Sequence, residues 1–459
     1  MAAARLVDEL VRRAAPYAIT VIGDEPDPAY SRVLLSAVLE RSHRGADIEL
    51  RSAGWYADHG VRLVTGQRVL RVDRDRRDVW LADGTRHGYD RLVLATGARP
   101  LLPPIHGVVT PDGLHPAVHA FRSMADCRRL DQAASGARRA VVVGGGLLGL
   151  QVARALSVRG LDVEIVEVGP ALMGRQLGPA GAQALARGVR GLGTEVYTGA
   201  RAVGFSDSGL RLDNGFVLSA DLVVLACGSR PATRLAQRSG LMVRRGVVVD
   251  DRLRSVSDDH VYAIGDCAEH RGRVHGFVGP AWDQAVALAR TLTGSDRAYD
   301  GSRVVARLQA TGLELAVLGD PERAVGERVE MANPLRGSYR KVVLRDGVLV
   351  AAVLIGDLSR IGVLTQHYDR RTVLGQTEAA WLLHGDASAP ADAEVPDDVE
   401  VCACAGVSAG RIRSCRDRAD VVARTRATTG CGSCSDVVDL LLPTPTSGRP
   451  HSGALLATK

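Results

Sequence analysis

The sequence predicts an α/β protein of several domains, and three observations carry that prediction. Its 459 residues exceed the roughly 250–300 at which one hydrophobic core usually divides. A β-branched run passes straight into a glycine-rich turn and an amphipathic helix at residues 140–160. Other short apolar runs end in acids or small residues near positions 25, 97 and 266, as the strands of an open α/β sheet do. With 46% hydrophobic and 24% charged residues, the composition is globular, neither disordered nor fibrous. The net charge of +6 is spread along the chain without a basic stripe, and apart from Lys341 and Lys459 its cations are all arginines. That is a compositional bias toward arginine, and it gives no sign of nucleic-acid binding. No run approaches the roughly 18–20 apolar residues of a membrane span. MAAARLVDELVRRA carries acids and lacks a signal-peptide core, so a cytoplasmic enzyme is expected.

In chain order, AITVIGDE (18–25) reads as a strand ending in acids, with Glu25 the better ribose-binding candidate and Asp24 its rival. VRLVTGQRVLRVD (61–73) alternates as one strand and leads to another at VWLAD. YDRLVLATGARP (89–100) is an apolar strand ending in a small-residue turn, which puts Thr96 and Gly97 at a sheet's carboxyl edge. AVVV from Ala140 is a buried parallel strand, followed by Gly144, Gly146 and Gly149 in GxGxxG positions. LQVARALSVRG is a helix ended by Gly160, and VEIVE is a strand ending in Glu167, 18 residues past the last glycine. Glycines admit a pyrophosphate, the helix N-terminus supplies N–H groups and positive dipole, and the acid bonds a ribose. An acid there repels a 2′-phosphate, so NADH is favoured over NADPH; Arg175 downstream reads as a solvated loop residue. VYAIGDCAEH delivers Asp266 to a strand end, and PAWDQAVALARTL follows as an amphipathic helix.

ATGARP, GGGLLG and YAIGDCAEH, in that order, resemble the flavoprotein oxidoreductases with two dinucleotide-binding domains. More narrowly, AYSRVLLS, AFRSMADCRRL, LMGRQL and VVLACGSRP resemble the flavoprotein part of the NAD(P)H nitrite reductase large subunit and the electron-transfer subunits of assimilatory nitrate reductases, over about residues 1–380. The resemblance implies that Glu25, Arg32, Ser36, Val69, Ala95, Thr96, Gly97 and Asp266 contact FAD, with Asp266 on the ribityl hydroxyls. It also implies a helix starting at Ala281 whose dipole faces the flavin, and a NAD site that adds Gln151 and Gly228 to the glycines and Glu167. Gln151 stands where the family usually has glutamate, and Gly174 and Gly178 replace its usual polar or acidic residues. The implied architecture is α/β: two interleaved Rossmann-like dinucleotide-binding domains, an α+β interface domain and a small helical [2Fe–2S] module. The FAD-binding domain takes 1–107 and 241–300, the NAD(H)-binding domain 108–240 and the interface domain 301–385. In the family a first strand and glycine turn precede a helix like AAARLVDELVRRA. Here Met1 falls inside that motif, which leaves two readings, a start codon internal to the gene or a loss of flavin binding; the first is the expectation, because the other FAD-facing motifs survive.

A polar linker spans 386–398, and residues 399–442 hold Cys402 and Cys404 as CxC and Cys431 and Cys434 as CxxC. Four thiolates in two pairs suit either zinc or a [2Fe–2S] cluster, and spacing alone does not separate them. VCxCxGVxxGxI and TGCGSC resemble the bacterioferritin-associated-ferredoxin-like [2Fe–2S] domain, which implies the cluster. Cys127, Cys227, Cys267 and Cys415 read as packing residues, and 443–459 as a disordered tail.

The resemblances together imply electrons passing from NADH through FAD and [2Fe–2S] to a separate nitrite or nitrate reductase catalytic subunit; a homodimer is permitted. The absence of cysteine between residues 18 and 60, and of a CxxC partner for Cys127 or Cys227, disfavours the thiol-dependent branches of the superfamily. The other expectations are a ferredoxin reductase, a subunit of an amino-acid dehydrogenase complex, or, in another class, an iron-handling partner protein.

Overall fold

A computed structural model describes residues 1–308, 310–333, 337–375, 382, 395–402, 405, 407–429 and 434–442. Residues 1–389 form one compact unit and 390–459 a second.

The first unit opens with helix α1 (Ala2–Arg12), which buries Leu6, Val7 and Leu10. Its buried acids are neutralised: Glu9 pairs with Arg5 at 3.1 Å and Asp8 with Arg51 at 2.7 Å. Strand β1 (Thr20–Ile22) follows, then α2 (Leu35–Glu40), and β2 (Arg62–Val64), which pairs in parallel with β1. An antiparallel three-stranded sheet comes next, β3 (Val69–Asp73), β4 (Asp78–Leu81) and β5 (Arg86–Gly88). The single strand expected over 61–73 is therefore two, in different sheets. Gly66 at φ +69° turns the chain between them, a conformation that glycine adopts without a Cβ penalty. Strand β6 (Leu92–Leu94) ends in Ala95, Thr96 and the left-handed Gly97 (φ +67°), and β7 (Ala98–Pro100) leaves it.

The same plan is then repeated. Strand β8 (Val118–Ala120) and helix α3 (Met124–Ala134) lead to β9 (Arg139–Val143), α4 (Leu147–Val158), β10 (Asp162–Glu167), α5 (Pro179–Gly191) and β11 (Glu195–Thr198). A second antiparallel three-stranded sheet, β12 (Ala202–Ser206), β13 (Gly209–Leu212) and β14 (Val217–Leu218), precedes β15 (Leu222–Leu225). The parallel sheet here has five strands in the order β8-β15-β9-β10-β11, with β9 at its centre. Val141 and Val142 in β9, like Val223 and Val224 in β15, are fully buried, as both faces of a parallel sheet require. β16 (Ser229–Pro231) pairs back on β7.

The chain returns to the first half with β17 (Val261–Ala263), parallel to β6, and α6 (Val278–Leu292), which packs on α1. Packing ignores the boundary at 107. Leu34, Leu35, Leu39 and Ile48 share one hydrophobic cluster with Leu150 and Leu156, because α2 packs on α3 and α4. A five-stranded antiparallel sheet follows, β18 (Val305–Arg307), β19 (Leu315–Leu318), β20 (Glu327–Asn333), β21 (Ser338–Arg345) and β22 (Val348–Ile355), in the order β18-β19-β22-β21-β20. Helix α7 (Ile361–Arg370) packs on β22.

In the second unit, the hairpin β23 (Glu400–Cys402) and β24 (Val407–Ser408) precedes α8 (Ala409–Arg413), α9 (Arg418–Thr425) and α10 (Ser435–Leu441). Its core joins Cys402, Cys415 and Cys434 to Val407, Ile412, Val421 and Val438. The linker over 386–394 and the tail over 443–459 lie outside the described residues.

Candidate functional site: two strand-end clefts

In the second half, the turn from β9 to α4 is shaped by contacts that only glycine allows. Gly144 has φ +118°, and a Cβ on it would lie 2.4 Å from the Ala226 carbonyl oxygen. A Cβ on Gly149 would lie 1.9 Å from the Gly144 oxygen, so the helix packs directly on the turn. Gly146 is the N-cap of α4. Glu167, at the end of β10, accepts from the Gly145 and Gly169 amides, each at 2.6 Å. Backbone thus fixes this carboxylate beside the turn. Gln151 is buried in α4, Gly228 (φ +101°) ends β15, and Arg175 is exposed. Burial, with Glu167 nearby, pushes the Cys227 thiol up to about 11, and burial pushes Cys127 up to about 12. Both are weak nucleophiles near neutral pH, which suits packing residues. Cys267, fully buried, is shifted the same way.

In the first half, a cavity of about 1520 Å³ opens between β1 and β6. Glu25, Arg32, Val69, Ala95, Thr96 and Gly97 line it. Glu25 is held by side chains. The Tyr30 hydroxyl donates to one carboxylate oxygen and Arg32 pairs with the other. Arg32 also donates to the Tyr30 oxygen at 3.0 Å and lies 5.0 Å from its ring centre, while the Met124 amide donates to the same hydroxyl at 2.8 Å. Thr96 donates to the Ala232 carbonyl at 2.7 Å. Asp266 sits in a short turn after β17 and pairs with Arg122 at 2.5 Å. The Met1 amine is enclosed; burial, aided by Arg32 and Arg122 and opposed by Glu25 and Asp266, lowers its pKa to about 6. Those four side chains therefore converge at the start of α1. The Ser36 hydroxyl is buried and finds no hydrogen-bond partner among the described residues. Ala281 does not start its helix, which begins at Val278. Gly279 and Pro280 read as breakers, yet Pro lacks only an N–H that a first helical turn leaves unpaired. Arg122 escaped the sequence reading because a lone loop arginine has no periodicity. The available signal was the helix cap beside it, where Ser123 and Asp126 exchange hydrogen bonds.

In the second unit Cys402 and Cys434 are buried in one cluster, whereas Cys404 and Cys431 lie outside the described residues. No group of three or more potential metal ligands occurs among the described residues.

A five-stranded parallel sheet with Glu167 at a strand end, and a cleft between the parallel pairs β1–β2 and β6–β17 with Glu25 beside it, give the chain two strand-end clefts of the kind that dinucleotide-binding α/β folds use, with an antiparallel domain following. Residues 1–288 match the family described as pyridine nucleotide-disulphide oxidoreductase, and residues 305–369 match the rubredoxin NAD+ reductase C-terminal domain. The chain belongs to the pyridine nucleotide-disulphide oxidoreductase family. It is 35% identical to a nitrite reductase [NAD(P)H] of Bacillus subtilis, covering 96% of this chain and 56% of that protein. It is 31% identical to the assimilatory nitrate reductase electron transfer subunit of the same organism, covering 96% of this chain and 58% of that one. The chain thus spans little more than half the length of these relatives. Among solved structures, the ferredoxin reductase for the CYP199A2 system of Rhodopseudomonas palustris superimposes with TM-score 0.74 at 27% identity, over 81% of this chain and 93% of that one. No helix among the described residues is long and apolar enough to cross a membrane.

Proposed function

We propose that this chain oxidises NADH and passes the electrons through FAD and a C-terminal [2Fe–2S] centre to a nitrite or nitrate reductase catalytic subunit. The observation that carries this reading is the match of 96% of the chain, hence well past residue 389, to a nitrite reductase and a nitrate reductase electron transfer subunit. In the second half, Gly144, Gly146 and Gly149 bring backbone N–H groups to the NADH pyrophosphate. Glu167 takes the ribose hydroxyls and rejects a 2′-phosphate. Gln151 and Gly228 border the same strand ends.

In the first half Glu25, Arg32, Ser36, Val69, Ala95, Thr96, Gly97 and Asp266 hold FAD. The cavity's size suits such a ligand, and the buried Ser36 hydroxyl, outside the cavity lining, is left without a partner among the described residues. Arg122, paired with Asp266, adds a cation to this set, and Ala281 lies in the first turn of α6, whose positive end faces the flavin. Bound FAD supplies the exchange between hydride transfer and single-electron transfer. Cys402, Cys404, Cys431 and Cys434 hold the cluster as thiolates, with α10 beginning directly after Cys434.

The test is anaerobic addition of NADH to purified protein supplied with FAD. Bleaching of flavin and [2Fe–2S] absorption, with iron and acid-labile sulfide in equal amount, is expected; zinc without colour would reject the cluster. A second reading, a reductase serving a separate ferredoxin, is favoured by the Rhodopseudomonas palustris likeness. It predicts that removal of residues 399–442 leaves ferredoxin reduction intact.

A further inference from the structure

Apart from Lys459, Lys341 is the chain's only lysine, and strand β21 buries it to 3% exposure. Its ammonium pairs with Glu322 at 2.9 Å and with Glu330 at 3.5 Å. Tyr339, two residues back and so on the same face of the strand, donates to Glu330 at 3.0 Å. Burial, with the Glu330 charge beside it, raises the Tyr339 pKa and keeps the hydroxyl a donor. Such a cluster contributes little net stability, because desolvation of the charges offsets their attraction. Its neighbours point to another use.

The cluster sits on the first turn of α5. A Cβ on Gly178, the N-cap, would lie 2.9 Å from a Glu322 carboxylate oxygen, and one on Gly181 would lie 3.0 Å from the Tyr339 ring. Glycine at both positions lets the two side chains come this close, and the carboxylate meets the positive end of the helix. From there the backbone leads to the turn between β9 and α4. Leu177 donates to the Met173 carbonyl at 3.0 Å, and Met173 donates to the Gly145 carbonyl at 3.0 Å. Leu172 is wedged beside it, its Cδ2 only 2.5 Å from where a Gly145 Cβ would stand. Met173 is buried at φ +49°, a left-handed conformation that a side chain adopts only when its surroundings impose it. Gly145 is also the residue whose amide holds Glu167, at 2.6 Å.

We infer that Lys341 and Glu322 are positioning residues for the dinucleotide turn, acting from the antiparallel sheet through α5 and Met173. The ion pair anchors the first turn of α5, the anchored turn keeps Met173 left-handed, and Met173 pins the Gly145 carbonyl. Glu167 and the glycine turn are thereby aligned before the nucleotide arrives. The inference rests on the reading that this turn takes NADH. Its chemical consequence is specific. The turn and Glu167 face the pyrophosphate and a ribose, away from the carbon that gives up the hydride, so loosening them weakens NADH binding and leaves the turnover of bound NADH alone. The contacts run without a gap from β21 to Gly145, each between atoms at hydrogen-bond or van der Waals distance.

The experiment uses the full chain supplied with FAD and two variants, Glu322→Gln and the neutral pair Lys341→Met with Glu322→Gln. The second leaves no buried lysine charge and guards against simple misfolding. In the nucleotide-free proteins, amide hydrogen exchange at Met173 is expected to quicken at least fivefold in both variants. The NADH Kd is expected to rise about fivefold, with FAD affinity, and the rate of ferricyanide reduction at saturating NADH, held within twofold. An unchanged Met173 amide and unchanged NADH Kd in either folded variant would overturn the inference. So would equal losses of NADH and FAD affinity, the mark of a general destabilisation. Faster Met173 exchange in a chain that binds no NADH even when unaltered would uphold the link from sheet to turn and reject the functional reading instead.

Discussion

In the second half of the first unit a fully buried strand, Arg139–Val143, fills the middle of a five-stranded sheet; in the first half the corresponding place is a cavity of about 1520 Å³. The acids at the strand ends differ accordingly. Glu167 is fixed by backbone amides of Gly145 and Gly169, which belong to the turn that the central strand feeds and to the loop after β10. Glu25 has no such turn beside it and is fixed by the side chains of Tyr30 and Arg32. A central strand thus does more than fill a core. It presents the N–H groups that orient the acid and would meet a pyrophosphate. At Glu25 side chains do the orienting, at the expense of rotamer entropy.

Five substitutions sharpen the contrast, the strongest first. Gly149→Leu drives a side chain into the Gly144 carbonyl, whose oxygen lies 1.9 Å from even a Cβ. It should cost more than about 3 kcal/mol in urea unfolding and abolish NADH binding. Val142→Ala, in the closed sheet, should cost about 2 kcal/mol, whereas Val21→Ala, in the half-buried β1, should cost under about 1 kcal/mol. Equal losses would mean that the first half is as well packed as the second. Glu167→Gln removes the charge while keeping acceptor and size. It should shift the NADH-to-NADPH binding ratio about tenfold toward NADPH, measured by titration with each nucleotide. Tyr30→Phe leaves Glu25 to Arg32 alone and should weaken FAD affinity a few-fold while NADH affinity holds.

A pH experiment probes a single side chain. The Cys227 thiol is pushed up to about 11, so its thiolate is scarce below that pH and alkylation should rise about tenfold per pH unit from 8 to 10. A plateau by pH 9 would show a thiol near its ordinary value.

Much of this was legible in the sequence because it depends on local chemistry. The β-branched run at 140–143, the glycine turn and Glu167 announce themselves by residue type and spacing. What remained hidden depends on long-range placement. Residues 61–73 alternate throughout, and only the left-handed Gly66 and the pairing partners divide them into two sheets. The edge strand Glu327–Asn333 was invisible because it is exposed along nearly its whole length and has no apolar face to show. Arg122 reaches Asp266 from 144 residues away, a contact that no local pattern encodes.

The central claim is that the two halves hold two different cofactors, NADH beside Glu167 and FAD beside Glu25. Calorimetric titration of NADH, NADPH and FAD into the chain of 459 residues and into its Glu167→Gln and Tyr30→Phe variants tests it most directly. The account predicts that Glu167→Gln shifts the NADH-to-NADPH ratio with FAD affinity unchanged, and that Tyr30→Phe weakens FAD with NADH affinity unchanged. Equal weakening of FAD and NADH in either variant would contradict it.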